Sequence, residues 1–180
     1  MRGRAVNEVA YDLMLRDDFV LAPVLNYGTG DLEIAKALFS HPYCVLGASD
    51  AGAHCLTVCD GALPSFMLTH WVRDRQRGER LPVERVVRML TAQPAASFGM
   101  TDRGWIAEGL AADLNIIALD ALDALALESP EVAHDLPSGA GRLIQRAKGY
   151  AATVVGGTVT REQDEDTGAR PGKLLRRVAY

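Results

Sequence analysis

The chain has 180 residues, 48% hydrophobic and 23% charged, with 19 Lys plus Arg against 23 Asp plus Glu and a formal net charge of -4. That is the composition of one globular domain or one and a half, and the acidic balance argues against nucleic acid or an anionic membrane surface as partner, since both demand an excess of positive charge. No stretch free of Asp, Glu, Lys and Arg exceeds 13 residues, against the roughly 18 apolar residues a membrane-spanning helix needs.

Met1-Arg2-Gly3-Arg4 is followed closely by Glu8 and Asp12, so the apolar core of a secretory signal peptide is missing. Three cysteines, Cys44, Cys55 and Cys59, fit free thiols in a reducing compartment, and the expected location is the cytoplasm. Val6, Val9, Ala10, Leu13 and Met14 follow the 3/4 spacing of an amphipathic helix over 4–16. The apolar run 19–25, interrupted only by Pro23, reads as a buried strand, and 31–39 reads as a helix. Tyr43-Cys44-Val45-Leu46-Gly47 reads as a second strand, which makes strand, helix and strand a βαβ unit with a parallel sheet.

Beyond Asp50 the pattern predicts helices over 63–76 and 82–90, the latter with Pro82 near its first turn, and a short helix over 94–98. From Gly104 the chain turns β-like, with a strand over 114–119. A Gly156-Gly157 pair between β-branched runs signals a hairpin. Residues 121–141 read as a surface loop with short pieces of structure, and 162–172 as a polar turn region. Two parallel strands cannot satisfy both of their own edges, so the pattern hints at a truncated chain.

Asp50 is the residue most suited to chemistry. It ends the second predicted strand among small residues, Gly47-Ala48-Ser49-Asp50-Ala51-Gly52-Ala53-His54, and active sites of α/β folds gather at that end of the strand. Its alternative role is to cap the next turn. Gly28-Thr29-Gly30 lacks a third glycine and a Gly-Lys-Ser/Thr, so it reads as a loop before a capped helix rather than a phosphate cradle. Arg73 to Arg80 mixes charge signs at a helix end and reads as solvated surface. Asp113 reads as a turn hydrogen-bonder. His54, Cys55, Cys59 and His70 offer enough ligands for a tetrahedral zinc set, but cysteines as small buried hydrophobes and histidines as packing residues are favoured.

The segment 47–54, read with Cys59-Asp60 and Thr69-His70-Trp71-Val72-Arg73-Asp74-Arg75, resembles the last barrel strand and following helix of amidohydrolases of the N-acyl-D-amino-acid deacylase (D-aminoacylase) type. The resemblance continues through Leu90-Thr91-Ala92-Gln93-Pro94-Ala95, Asp102-Arg103-Gly104, Gly109 to Leu114, Gly149-Tyr150 and 167–172, covering about Asn26 to Arg177. It implies an α/β fold: the last two βα units of a (β/α)8 barrel over residues 1–103, then part of a small β-sandwich over 104–180.

The same resemblance implies a metal-dependent hydrolase, Zn2+ being the usual ion, that cleaves the amide of a small N-acyl amino acid, in particular an N-acyl-D-amino acid. Asp50 would take a proton from a metal-bound water and deliver it to the departing amine. Ser49 and His54 would serve substrate binding, His54 by holding a substrate carboxylate, unless it is a structural histidine. The family's His-x-His pair is missing from this sequence, whose histidines are His41, His54, His70 and His134. No complete metal site is therefore expected in this chain, which would be inactive alone and would need an N-terminal barrel segment or a complementing chain as partner. Two alternatives stand beside this: a non-catalytic remnant or accessory module completed by a partner, and an amidohydrolase acting on a cyclic amide.

Overall fold

The structure, a computed structural model, describes residues 4–16, 32–47, 49–52, 54–56, 61–123 and 131–175. It divides into two compact units, Met1–Ala37 and Leu38–Tyr180. In the first, the amphipathic spacing produces α1 (Val6–Met14), with Val9 and Leu13 half-buried and Tyr11 and Met14 exposed. The Arg4 guanidinium bonds Asp12, in the second turn of the helix, at 2.7 Å. A second helix, α2 (Glu33–Ser40), crosses into the second unit. The predicted strand over 19–25 and the Gly28-Thr29-Gly30 loop lie outside the described residues.

In the second unit the helical layer comes first. α3 (Leu63–Phe66) runs directly into a π-helix, Met67–Asp74, closed by the Arg75 amide on the His70 carbonyl at 2.9 Å. The expected helix is thus present, but its wider turn was not visible in the spacing. Met67, Trp71 and Arg75 stand four residues apart and are all buried, at 2%, 2% and 3% exposure. Then follow α4 (Val83–Leu90), entered from Pro82, and α5 (Ala92–Ser97). Val86 and Met89 of α4, and Ala92 and Ala95 of α5, sit at i, i+3 spacing and point into the core with Met67, Leu68 and Trp71. Glu84 in the first turn of α4 and Arg88 in its last both complement the helix dipole.

The β layer contains a four-stranded sheet in the order β1-β4-β5-β6, built from β1 (Leu114–Ile117), β4 (Tyr150–Val155), β5 (Thr158–Glu162) and β6 (Glu165–Asp166). Leu114 pairs with Val154 and Ile116 with Ala152, placing apolar side chains on one face, while Asn115 and Thr153 join across the other through a 2.9 Å side-chain bond. The expected glycine hairpin is present: Gly156 and Gly157, at φ 55° and 78°, make the two-residue turn between β4 and β5. The polar region after Glu162 holds a second such turn, Gln163-Asp164, at φ 48° and 67°. Within 121–141, and just past it, β2 (Glu131–Ala133) and β3 (Arg142–Ile144) form a separate two-stranded sheet.

Two expectations about strands change here. Every strand pair among the described residues is antiparallel, so the parallel βαβ pairing is not observed among them. Residues 43–47 belong to no ladder, and Tyr43 and Val45 are 92% and 40% exposed rather than buried. The local backbone bonds turn-wise instead, the Cys44 amide donating to the His41 carbonyl at 3.0 Å. Helices joined to antiparallel sheets in this way are consistent with part of a larger domain.

Candidate functional site

Asp50 sits on the stretch that leaves 44–47 and leads toward α3. Ser49 is half-buried, and its hydroxyl accepts the Ala51 amide at 3.3 Å, a local turn that fixes the backbone on both sides of Asp50. Asp50 itself is exposed. Gly52 at φ 91° reverses the chain, and His54 and Cys55 follow at φ 54° and 47°, a conformation that costs a side chain with a Cβ about 1–2 kcal/mol. Both are exposed. Ser49 and Asp50 therefore lie at one local turn and His54 in the next, where the Cys55 amide donates to the Gly52 carbonyl at 3.3 Å; Asp50 and His54 are both exposed.

Long-range bonds hold this stretch. The Cys55 carbonyl accepts the Leu143 amide of β3 at 3.0 Å. The Cys44 carbonyl accepts Nε2 of Gln93, from α5, at 2.9 Å, and the Ala62 amide donates to Oε1 of Gln145, just past β3, at 3.0 Å. Neither glutamine was singled out from the sequence, although Gln93 lies inside the 90–95 motif.

His70 is a packing residue, as favoured from the sequence. Its ring stacks on Phe66 at 4.9 Å and 7°, and its Nε2 faces the Arg75 guanidinium at 3.3 Å. Burial first, and the Arg75 charge second, push its pKa below the usual value, against an upward pull from Asp74. A guanidinium has no acceptor, so Nε2 must accept, and a metal ion would compete with a cation for that lone pair. Arg75 also lies over the Trp71 ring, 4.2 Å from its centroid.

The basic stretch after the π-helix is accordingly more than solvated surface. Arg75 is buried, and Nη1 of Arg73 donates to the carbonyls of Leu119, Asp120 and Leu122 at 2.6, 3.3 and 2.8 Å. Its other nitrogens grip Asp74, whose carboxyl is held below its ordinary value chiefly by that bond. Arg77, Glu79 and Arg80 do face solvent. A guanidinium with five donors suits such bridging, which the mixed charge signs concealed.

Asp113 is the turn hydrogen-bonder expected: Oδ1 accepts the Gly156 amide at 2.8 Å and Oδ2 meets Arg103. Cys44 is half-buried but Cys55 is exposed, so burial does not account for both thiols. Cys59 lies outside the described residues. Among the described residues no three His, Cys, Asp or Glu side chains gather into a metal-binding group, and His54, Cys55 and His70 do not form one. These donors do not fit a zinc ion. A cavity of about 330 Å³ opens beside Gly149 and Tyr150, but the Asp164 carboxylate on its wall is committed to their two amides at 3.0 and 2.7 Å.

Residues 15–161, most of the chain and the whole surroundings of Asp50, match the Amidohydrolase family. The chain belongs to the amidohydrolase family. The resemblance drawn from residues 47–54 and the motifs after them is thereby borne out. Over 165 residues this amidohydrolase chain is 28% identical to an N-acyl-D-glutamate deacylase of Alcaligenes xylosoxydans xylosoxydans, a match that takes in 85% of the chain and 28% of that protein. The chain thus spans little more than a quarter of the length of this relative. Comparison with the solved structures gave no match. No helix among the described residues is long and apolar enough to cross a membrane.

Proposed function

We propose that this chain works as the C-terminal portion of a metal-dependent amidohydrolase that hydrolyses N-acyl amino acids, N-acyl-D-amino acids first among them. Residues 1–103 would belong to its (β/α)8 barrel and 104–180 to its β-sandwich. The observation that carries the reading is the family match over 15–161 with an exposed carboxylate, Asp50, on a stretch bonded from α5 and β3.

In the reaction, the oxygen of water bonds to the acyl carbon and the carbon–nitrogen bond breaks, leaving a carboxylic acid and an amine. Asp50 accepts a proton from the attacking water and returns it to the leaving nitrogen, the two halves of general base and general acid work by one group. His54 holds the substrate carboxylate, and Ser49 lines the turn of Asp50. The ligands of a Zn2+ ion would have to come from outside the described residues. The substrate is a small solute, and the cytoplasm is the compartment.

A second reading, a non-catalytic module that folds against a partner, is favoured by the exposure of Tyr43, Trp105 and Ile106 at 92%, 65% and 91%. One experiment separates them. The chain is co-expressed with the part of the deacylase relative that precedes the matched region, and release of D-glutamate from N-acetyl-D-glutamate is measured with and without Asp50→Asn. Hydrolysis that falls about 100-fold or more in D50N supports the catalytic reading. A complex that assembles but hydrolyses neither this substrate, other N-acyl amino acids nor cyclic amides supports the module, and near-wild-type turnover in D50N removes Asp50 from the chemistry.

A further inference from the structure

The stretch that carries Asp50 is tied at both ends by side-chain amides distant in sequence. Before it, the Cys44 carbonyl takes a hydrogen bond from Gln93, 49 residues away; after it, the Ala62 amide gives one to Gln145, 83 residues away. Both bonds are part-buried, which shields them from competing water. Ala62 stands at the N-terminus of α3, where no side-chain cap is present, so Gln145 satisfies an amide that the helix start leaves open. A methyl placed on Gly61 would stand 3.6 Å from Cβ of Ala51 and 3.7 Å from the Gln145 carbonyl oxygen. The residue after Asp50 therefore lies beside the same segment that carries Gln145.

We propose that Gln93 and Gln145 are the positioning residues of the Asp50 carboxylate, one acting as a donor before it and the other as an acceptor after it. The assignment of a reaction to Asp50 rests on the function proposed above; the anchoring itself does not. The two amides use opposite ends of the same side chain, and this gives the proposal a signature. Gln145→Glu keeps an acceptor oxygen for the Ala62 amide, whereas Gln93→Glu loses the donor and sets a carboxylate against the Cys44 carbonyl. A role in filling space would treat the two substitutions alike.

The test combines amide hydrogen exchange on the whole 180-residue chain with kinetics of the co-expressed enzyme on N-acetyl-D-glutamate. In Gln145→Ala the Ala62 amide should exchange about fivefold faster, the loss of one ordinary hydrogen bond, and Gln145→Glu should restore it. In Gln93→Ala and Gln93→Glu alike, the Ala51 amide should exchange faster by a similar factor. In the enzyme, Q145A, Q93A and Q93E should lower kcat about tenfold or more with KM unchanged, because a misplaced proton carrier harms the chemical step rather than binding. None of the three should lower kcat further in a D50N background. Q93E and Q145E behaving alike, or losses that add to that of D50N, would overturn the proposal. If Q145A does not fold, the contrast between Q93E and Q145E still decides it. If the wild-type enzyme hydrolyses nothing, the assigned reaction fails while the exchange data still decide whether the two glutamines anchor the turn.

Discussion

Gly149 is the position where one added methyl should do the most damage. Its φ is 103°, and a Cβ built there would stand 2.6 Å from Cα of Leu122, 2.8 Å from its nitrogen and 2.9 Å from the Ala121 carbonyl oxygen. All three are backbone atoms, so no rotamer can move aside. Leu122 is 1% exposed, and the approach is fixed by paired bonds between Asp123 and Lys148 at 2.9 and 3.1 Å and by the Ala118 amide on the Gly149 carbonyl at 2.9 Å. The backbone conformation costs a residue with a Cβ about 1–2 kcal/mol, and forcing an extra carbon into packed surroundings adds about 1–3 kcal/mol. Gly149→Ala should therefore lose about 2–5 kcal/mol, a fall in Tm of roughly 4–20 °C for a chain of this length. The control is Gly156→Ala, which shares a positive φ of 55° but meets nothing within 4 Å and should show the conformational part alone. Urea and thermal denaturation followed by circular dichroism measure both. Equal losses in the two variants would refute the close approach to Leu122 as the reason for glycine at 149.

Two further substitutions probe the clusters around the π-helix. Arg73→Lys keeps the charge but cannot span three carbonyls and Asp74 at once, so it should cost nearly as much as Arg73→Ala, about 1–3 kcal/mol by denaturation; a lysine variant as stable as the wild type would show that charge alone is needed there. His70, whose pKa lies below its ordinary value of 6.5 because of burial and Arg75, binds fewer protons folded than unfolded between those two values. Its contribution to stability is complete above about pH 6.5 and declines as the pH falls through the lowered value. Stability of His70→Phe, which retains the stack on Phe66, should depend less steeply on pH between about 5 and 7; an unchanged slope would exclude His70 as its source.

Much of the architecture was legible because it is local. Apolar spacing located α1, α2, the helix that begins at Leu63, α4 and α5, and Gly156-Gly157 announced its own hairpin. The pairing of β2 with β3 was not legible, because three-residue strands carry almost no periodicity. Residues 43–47 misled for a different reason. Their composition suits a buried strand, but burial depends on what lies alongside, and no ladder forms there among the described residues. At the site, Ser49, Asp50 and His54 stood out through their small neighbours and family resemblance. Gln93, Gln145 and Arg73 did not, since each reaches a partner 46 to 83 residues away, which the local pattern does not reveal.

The two tight turns of the β layer bear on how the chain reaches its fold. β4, β5 and β6 follow one another through pairs of residues, Gly156-Gly157 and Gln163-Asp164, already in the left-handed conformation. Such hairpins close on a timescale of about 1–10 μs, with little chain to gather. β1 must instead find β4 across roughly thirty intervening residues, a larger entropic cost met before any ladder bond repays it. The order of events that follows is a C-terminal meander formed early, onto which β1 docks later. The Arg73 clamp on the carbonyls just beyond β1 then ties helical layer to sheet only after β1 has arrived, whereas the 2.6 Å bond between the Ser65 and Tyr150 hydroxyls joins α3 to the meander without it.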